Sequence, residues 1–233
     1  MSEKPSMKPA ERLRRHVAYP VVYMFGATFV FTAALIGLSR FTQSREEANT
    51  RIQLEKAVLL AVGAGLDESA SPTRIHGLFQ EVIRSPGHPG MVSGESHLTN
   101  AYAFVINGQV AAYGVPFEGQ GFWNVIKGVV GVKPGATAIT GLAFYEQNET
   151  PGLGAEIVKT YFRNRFKGLA LGDGERAVGL RPVGTTLERN EVEAVTGATQ
   201  TCTRLERLLN HALNALREAM RKTEQPAGRS AAP

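Results

Sequence analysis

Hydrophobic and polar positions divide this chain into stretches of different character. From Val17 to Ser39 the run "VAYPVVYMFGATFVFTAALIGLS" holds no charged residue over 23 positions. At about 1.5 Å per residue it is long enough to cross a hydrocarbon core of about 30 Å, and it predicts one transmembrane helix. Pro20 falls in the first turn, where a missing N–H costs little, and Tyr19 and Tyr23 lie where aromatic rings favour the interface. Next, "SREEANTRIQLEKAVLLAVGAGL" opens on Ser44 and two acids. It continues with Ile52, Leu54, Val58, Leu59 and Leu60, predicting a juxtamembrane helix that ends near Gly63–Gly65 and joins the anchor to the rest of the chain. A Ser-, Pro- and Gly-rich stretch then carries a short helical piece around Ile75 to Ile83.

From Ala101 the pattern becomes strand-like. "AYAFVINGQVAAYGVPF" is two β-rich runs around Asn107-Gly108, which predicts a hairpin with a tight primed turn. "AITGLAFYEQ" and "AVGLRPVG" predict further strands, and Ala155 to Phe166 shows helical spacing at Ile157, Tyr161 and Phe162. The last element, "TCTRLERLLNHALNALREAMRK", sets Leu205, Leu208, Leu209, Ala212, Leu213, Leu216 and Met220 on one stripe, as a long helix with one buried face requires. Strands and helices mix without a βαβ rhythm or a G-x-G-x-x-G turn, so the fold class is α+β and a dinucleotide-binding sheet is disfavoured. The predicted organisation is a basic N-terminus at 1–16, a transmembrane helix at 17–39, a juxtamembrane helix and connection at 40–100, a domain at 101–222 and a disordered tail at 223–233.

Composition and charge refine this picture. With 233 residues and 43% hydrophobic side chains the chain can bury one ordinary core. Its net charge of +5 suggests nucleic acid at first, yet Lys4, Lys8, Arg12, Arg14 and Arg15 against Glu3 and Glu11 place +3 of it in the first fifteen residues. The scattered remainder is too small for a phosphate-tracking surface, so no nucleic-acid partner is expected. The same leading charges orient the anchor with its N-terminus in the cytoplasm and everything after Arg40 outside. A cleaved signal peptide is the weaker reading, because the apolar run is long and "GLSRFTQS" lacks a small-x-small site. His76, His88 and His97 have neither helical i, i+4 spacing nor an acid at ligand spacing, and no metal site is expected. Cys202, the only cysteine, cannot form an intramolecular disulfide, and its place on the last helix predicts burial.

The candidate chemistry lies in "EVEAVTGATQT", Glu191 to Thr201. A helix starting near Thr199–Thr201 offers unpaired N–H groups and the positive end of its dipole to a phosphate, with Gly197 and Ala198 leaving the entrance uncrowded. Taken alone, the segment reads first as plain capping by Thr199 or Thr201, because a Thr at a helix start is common. "FYEQNETPGLG", Phe144 to Gly154, and "GQGFW", Gly119 to Trp123, are more specific. Together with "EAVTGATQT" they make the chain resemble the FMN-binding domain of the C subunit of the sodium-translocating NADH:quinone reductase and, less closely, the G subunit of the Rnf electron-transport complex. The resemblance takes in the anchor and roughly Ala101 to Lys222, in order.

The resemblance implies a membrane flavoprotein of an ion-motive NADH:quinone reductase, with one extracytoplasmic FMN-binding domain at the inner membrane. It further implies one FMN held by a phosphoester to Thr199, installed by a separate flavin transferase with FAD as donor. Thr196 takes the Ser/Thr place of the family's attachment pattern, before Gly197 and Ala198, and Glu193 stands where the family usually has Asp. The turn Glu149 to Gly154 is expected to fold against the flavin, with Thr150 and Leu153 near the ring and Trp123 stacking on it or shielding it. Without the resemblance Trp123 would be taken as a core anchor. Expected partners are the lipid bilayer, the transferase and the other membrane subunits. An Rnf-type subunit of a ferredoxin:NAD oxidoreductase, or a non-redox membrane-held binding or assembly module, are the competing readings.

Overall fold

The computed structural model describes residues 18–85 and 101–224. The basic N-terminus, the segment around His88 and His97, and the tail from 225 onward lie outside the described residues. Two compact units divide the chain, Met1–Asn49 and Thr50–Pro233. Helix α1, Ala18–Val62, contributes residues to both. A single helix therefore replaces the two predicted, and Ser44 lies inside it rather than capping a new one. In the first unit Val21, Tyr23, Phe25, Phe29, Leu35 and Phe41 expose large apolar side chains. Tyr19–Phe41 is long and apolar enough to cross a membrane by length and composition.

The second unit is built on a five-stranded antiparallel sheet in which sequence neighbours are spatial neighbours. Its strands are β1 (Ile83–Arg84), β2 (Tyr102–Ile106), β3 (Gln109–Gln120), β4 (Val125–Val132) and β5 (Ile139–Glu146). Asn107 and Gly108 have φ of 51° and 79°, the left-handed pair that a primed turn requires, as the sequence predicts. β4 was not predicted. Buried on both faces, "VIKGVVGV" shows no alternation, and its two glycines resemble breakers.

Helices cover both faces of this sheet. On one side the end of α1 (Ala57, Val58, Leu59, Ala61, Val62) and helix α2 (Pro72–Val82, through Ile75 and Phe79) pack against Phe104, Ala112, Val129 and Ala143. The predicted juxtamembrane helix is thus part of a core, and residues 50–84 belong to the same unit as 101–224. A Cβ at Gly131 would strike the Ala61 carbonyl, and one at Gly141 would lie 2.8 Å from it, so glycine at both places lets the helix end rest on the sheet. The Thr140 hydroxyl donates to the same carbonyl at 2.8 Å, satisfying one acceptor that the helix C-terminus leaves open.

On the opposite face lies the larger core. Val115, Phe117, Ile126, Val130 and Ile139 meet helix α4, Thr199–Glu224, along Leu205, Leu209, Leu213 and Leu216. Leu208 and Met220 are only partly buried at the margin of that stripe. The predicted Ala155–Phe166 helix is broken into 3₁₀ turns at Gly154–Val158 and Asn164–Phe166 around a single α turn, α3 (Thr160–Arg163). Its anchors Ile157, Phe162 and Phe166 are fully buried whereas Tyr161 is exposed. Short strands β6 (Gly179–Arg181) and β7 (Glu191–Glu193) pair in parallel and deliver the chain to the start of α4.

Candidate functional site

The turn from β7 into α4 is shaped by its backbone. Gly197 has φ of 78°, and a Cβ there would lie 2.9 Å from the Leu153 side chain, so both conformation and space select glycine. The carbonyl of Ala198 accepts the Cys202 N–H at 2.9 Å, which puts Ala198 in the capping position. Alanine has no side-chain acceptor. The Thr201 hydroxyl turns inward, and neither Thr199 nor Thr201 caps the helix. The start of this 26-residue helix, with the positive end of its dipole, therefore lies beside the exposed hydroxyl-bearing residues Thr196 and Thr199. A cleft of about 300 Å³ adjoins them, lined among others by Pro182, Val183, Val195, Thr196 and Thr199. That volume lies at the lower end of the range, about 300–1,000 Å³, of small-molecule pockets.

Glu149 brings the three motif stretches together. Its residue is 5% exposed. Its Oε2 accepts the Thr201 hydroxyl at 2.7 Å, and its Oε1 accepts the Trp123 backbone N–H at 3.0 Å. Glycines make the space for it: a Cβ on Gly154 would lie 2.7 Å from Oε2 and 2.6 Å from the Thr201 hydroxyl, and one on Gly121 would strike Oε1. The carboxylate of Glu149 is thus spent on protein donors, while the turn it begins is closed by Leu153 and Ala155 N–H groups, both donating to the Thr150 carbonyl at 3.1 Å. Thr150 and Leu153 are exposed and Gly154 is buried.

Trp123 is 66% exposed and packs edge-on against Phe122, with ring centroids 5.4 Å apart. The core-anchor reading of this residue fails. Phe122, Trp123 and Leu153 are large apolar groups left in solvent around the turn, the placement expected of side chains that meet a ligand or partner.

Glu193 has other partners. It pairs with Arg165 at 3.5 Å and accepts the Gly184 N–H at 3.4 Å. Arg165, which the sequence did not single out, also donates to the Glu193 and Ala194 carbonyls, at 2.7 and 3.5 Å, and so fixes the approach to the turn. Nothing in the sequence around it marked it, because these partners lie 28 and 29 residues away. Cys202 is 2% exposed, its sulfur accepting the Val195 N–H at 3.4 Å, and burial pushes its thiol pKa up. Among the described residues no group of three or more His, Cys, Asp and Glu side chains is placed to hold a metal ion.

This arrangement lies inside a region with known relatives. Residues 121–214 match the FMN-binding domain family. Over 98 residues the chain is 36% identical to the C subunit of the Na(+)-translocating NADH-quinone reductase of Neisseria meningitidis, covering 41% of this chain and 38% of the relative. The corresponding C subunit of Pasteurella multocida is 36% identical over 97 residues, 40% of this chain and 37% of its own. The matched region thus spans less than two-fifths of these curated relatives. Of solved structures, the C subunit of the Na(+)-translocating NADH-quinone reductase from Parabacteroides distasonis aligns with a TM-score of 0.59 at 24% identity, over 78% of this chain and 96% of that one. Shewanella oneidensis NqrC aligns at 0.60 and 21%, over 76% and 99%. At these identities the structural likeness speaks to the fold alone.

Proposed function

We propose that this chain is a membrane-anchored electron-transfer flavoprotein that holds one FMN through a phosphoester to Thr199 and serves as the C-subunit-like component of an ion-translocating NADH:quinone oxidoreductase. The observation that carries the reading is the convergence of the Trp123 loop, the Glu149–Gly154 turn and the α4 start at one buried carboxylate. The residues present fit the group. An uncapped helix start and Gly197–Ala198 suit its phosphate, and Thr199 is exposed for esterification, with Thr196 beside it. Trp123, Thr150 and Leu153 supply the surface against which a flat aromatic ring would rest, and Gly154 lets that turn lie close to α4. Glu193, held by Arg165, presents the acid of the attachment pattern for recognition by a flavin transferase using FAD.

A bound flavin supplies the redox chemistry, and the protein supplies its orientation and local polarity. A threonine hydroxyl is a weak nucleophile unaided, so attachment needs the transferase. The apolar helix Tyr19–Phe41 supports anchoring in the inner membrane, with the domain on the extracytoplasmic side and other membrane subunits as partners.

The test is attachment. Co-expressed with a flavin transferase, the wild-type chain should keep flavin fluorescence through denaturing electrophoresis and yield an FMN-bearing peptide at Thr199, whereas Thr199→Ala should yield none. An adduct on Thr196 or Thr201 moves the site. Absence of any adduct with a competent transferase overturns the covalent reading.

A further inference from the structure

The sequence resemblance places Glu149 among the residues expected against the flavin, but its geometry gives it a different task. Both carboxylate oxygens are committed inside the protein, one to the Thr201 hydroxyl and one to the Trp123 N–H, and the residue is almost wholly buried. Its partners are distant in sequence, 52 residues in one direction and 26 in the other. Each belongs to a feature of the proposed site: Thr201 is in the first turn of α4 with Thr199, and Trp123 is itself the exposed ring. Gly121 and Gly154 leave no room for a Cβ beside this carboxylate, so the backbone on both sides is built closely around it. Gly121 N–H also donates to the Asn124 carbonyl at 2.8 Å, closing the Trp123 loop into a tight turn that the Trp123 amide ties to the Glu149 carboxylate.

We propose that Glu149 is a positioning residue, a clamp that makes the placement of the Trp123 loop depend on the first turn of α4. A carboxylate suits this role because it accepts two strong hydrogen bonds in opposed directions, and a buried acceptor that loses one partner is costly to leave unmatched. Breaking the Thr201 end therefore loosens the Trp123 end, although the two never touch the same atom. This inference rests on the flavin reading only for its consequence, the alignment of ring-facing and phosphate-facing parts; the clamp itself exists in the protein without cofactor.

Trp123 is the only tryptophan, so the flavin-free protein carries its own reporter. The experiment measures amide hydrogen exchange of the peptide containing Trp123, and tryptophan fluorescence anisotropy, in wild type, Thr201→Val, Glu149→Leu and Glu149→Gln. Thr201→Val and Glu149→Leu should each speed exchange at the Trp123 amide by tenfold or more and lower the anisotropy, while peptides of β3, β4 and the middle of α4 keep their protection. Glu149→Gln can accept from Trp123 and donate to Thr201, and should restore most of the protection. Should Glu149→Leu fail to fold, Thr201→Val carries the test. Unchanged Trp123 exchange in Thr201→Val overturns the proposal, as does an equal loss of protection across the whole domain. If the exchange pattern holds while wild type never acquires FMN, the clamp stands and the flavin reading falls.

Discussion

Trp123, Gly131 and Cys202 show three ways in which one side chain, or its absence, decides behaviour. Trp123 contributes little to the core, so Trp123→Ala should leave the thermal midpoint within about 2 °C and, under the proposed function, leave attached FMN in place. It should nonetheless shift flavin fluorescence and midpoint potential, by tens of millivolts if a stacking contact of about 0.5–1.5 kcal/mol favours one redox state. Potentiometry of the loaded protein decides this, and an unchanged potential removes Trp123 from the ring's surroundings. Gly131→Ala drives a methyl into the backbone carbonyl of Ala61, which no rotamer change relieves, and should cost about 1–3 kcal/mol by denaturant unfolding. Cys202 is shielded by packing, and burial holds its pKa above the usual thiol value, so alkylation by iodoacetamide at neutral pH should be negligible until the protein is unfolded. Because the folded state favours the protonated thiol, its contribution to stability is full below the unfolded pKa and is lost as pH rises through the folded one.

Helix α4 ties the site to the core, and its two roles are separable along its length. Leu209→Ala or Leu213→Ala, at fully buried positions, should each cost about 2–5 kcal/mol in unfolding experiments, without moving the proposed attachment site. The α4 stripe was legible because an apolar period of 3.6 sustained along so long a run suits a helix and no strand, and the β2–β3 hairpin because Asn-Gly favours one turn. β4 was illegible for the opposite reason: covered on both faces, it had no polar side to reveal a period of two, and Gly128 and Gly131 are there to admit Phe117 and the end of α1. The Ala155–Phe166 segment kept its apolar spacing but broke into turns, since burying Ile157, Phe162 and Phe166 does not require one straight helix. At the site, the residue types at Thr199, Gly197 and Leu153 were legible as a pattern. The inward direction of Glu149 and the part played by Arg165 were not, because both depend on partners dozens of residues away.

On the scale of the whole molecule, the boundary at Thr50 predicts what can be removed. A chain beginning at Thr50 retains the core formed by Ala57, Val58, Leu59, Ala61 and Val62 and should unfold cooperatively in a thermal melt. One beginning at Ala64 removes the buried Val58, Leu59 and Val62, exposes Ala112, Val129 and Ala143, and should lose that transition or drop its midpoint by at least about 10 °C, since each of the three large side chains removed contributes about 1.5–3 kcal/mol by its burial. If both shortened chains melt alike, the end of α1 is not part of the fold. The order of elements has a consequence for biogenesis. Strands adjacent in the sheet are also adjacent in sequence, but Thr199 opens helix α4, which follows them all, and its neighbour Thr201 meets Glu149 only where that helix is docked. A modifying enzyme that recognises this docked arrangement would pass over half-folded chains, so a cofactor fixed at Thr199, as proposed above, would serve as a certificate that the sheet and the helix covering it had come together.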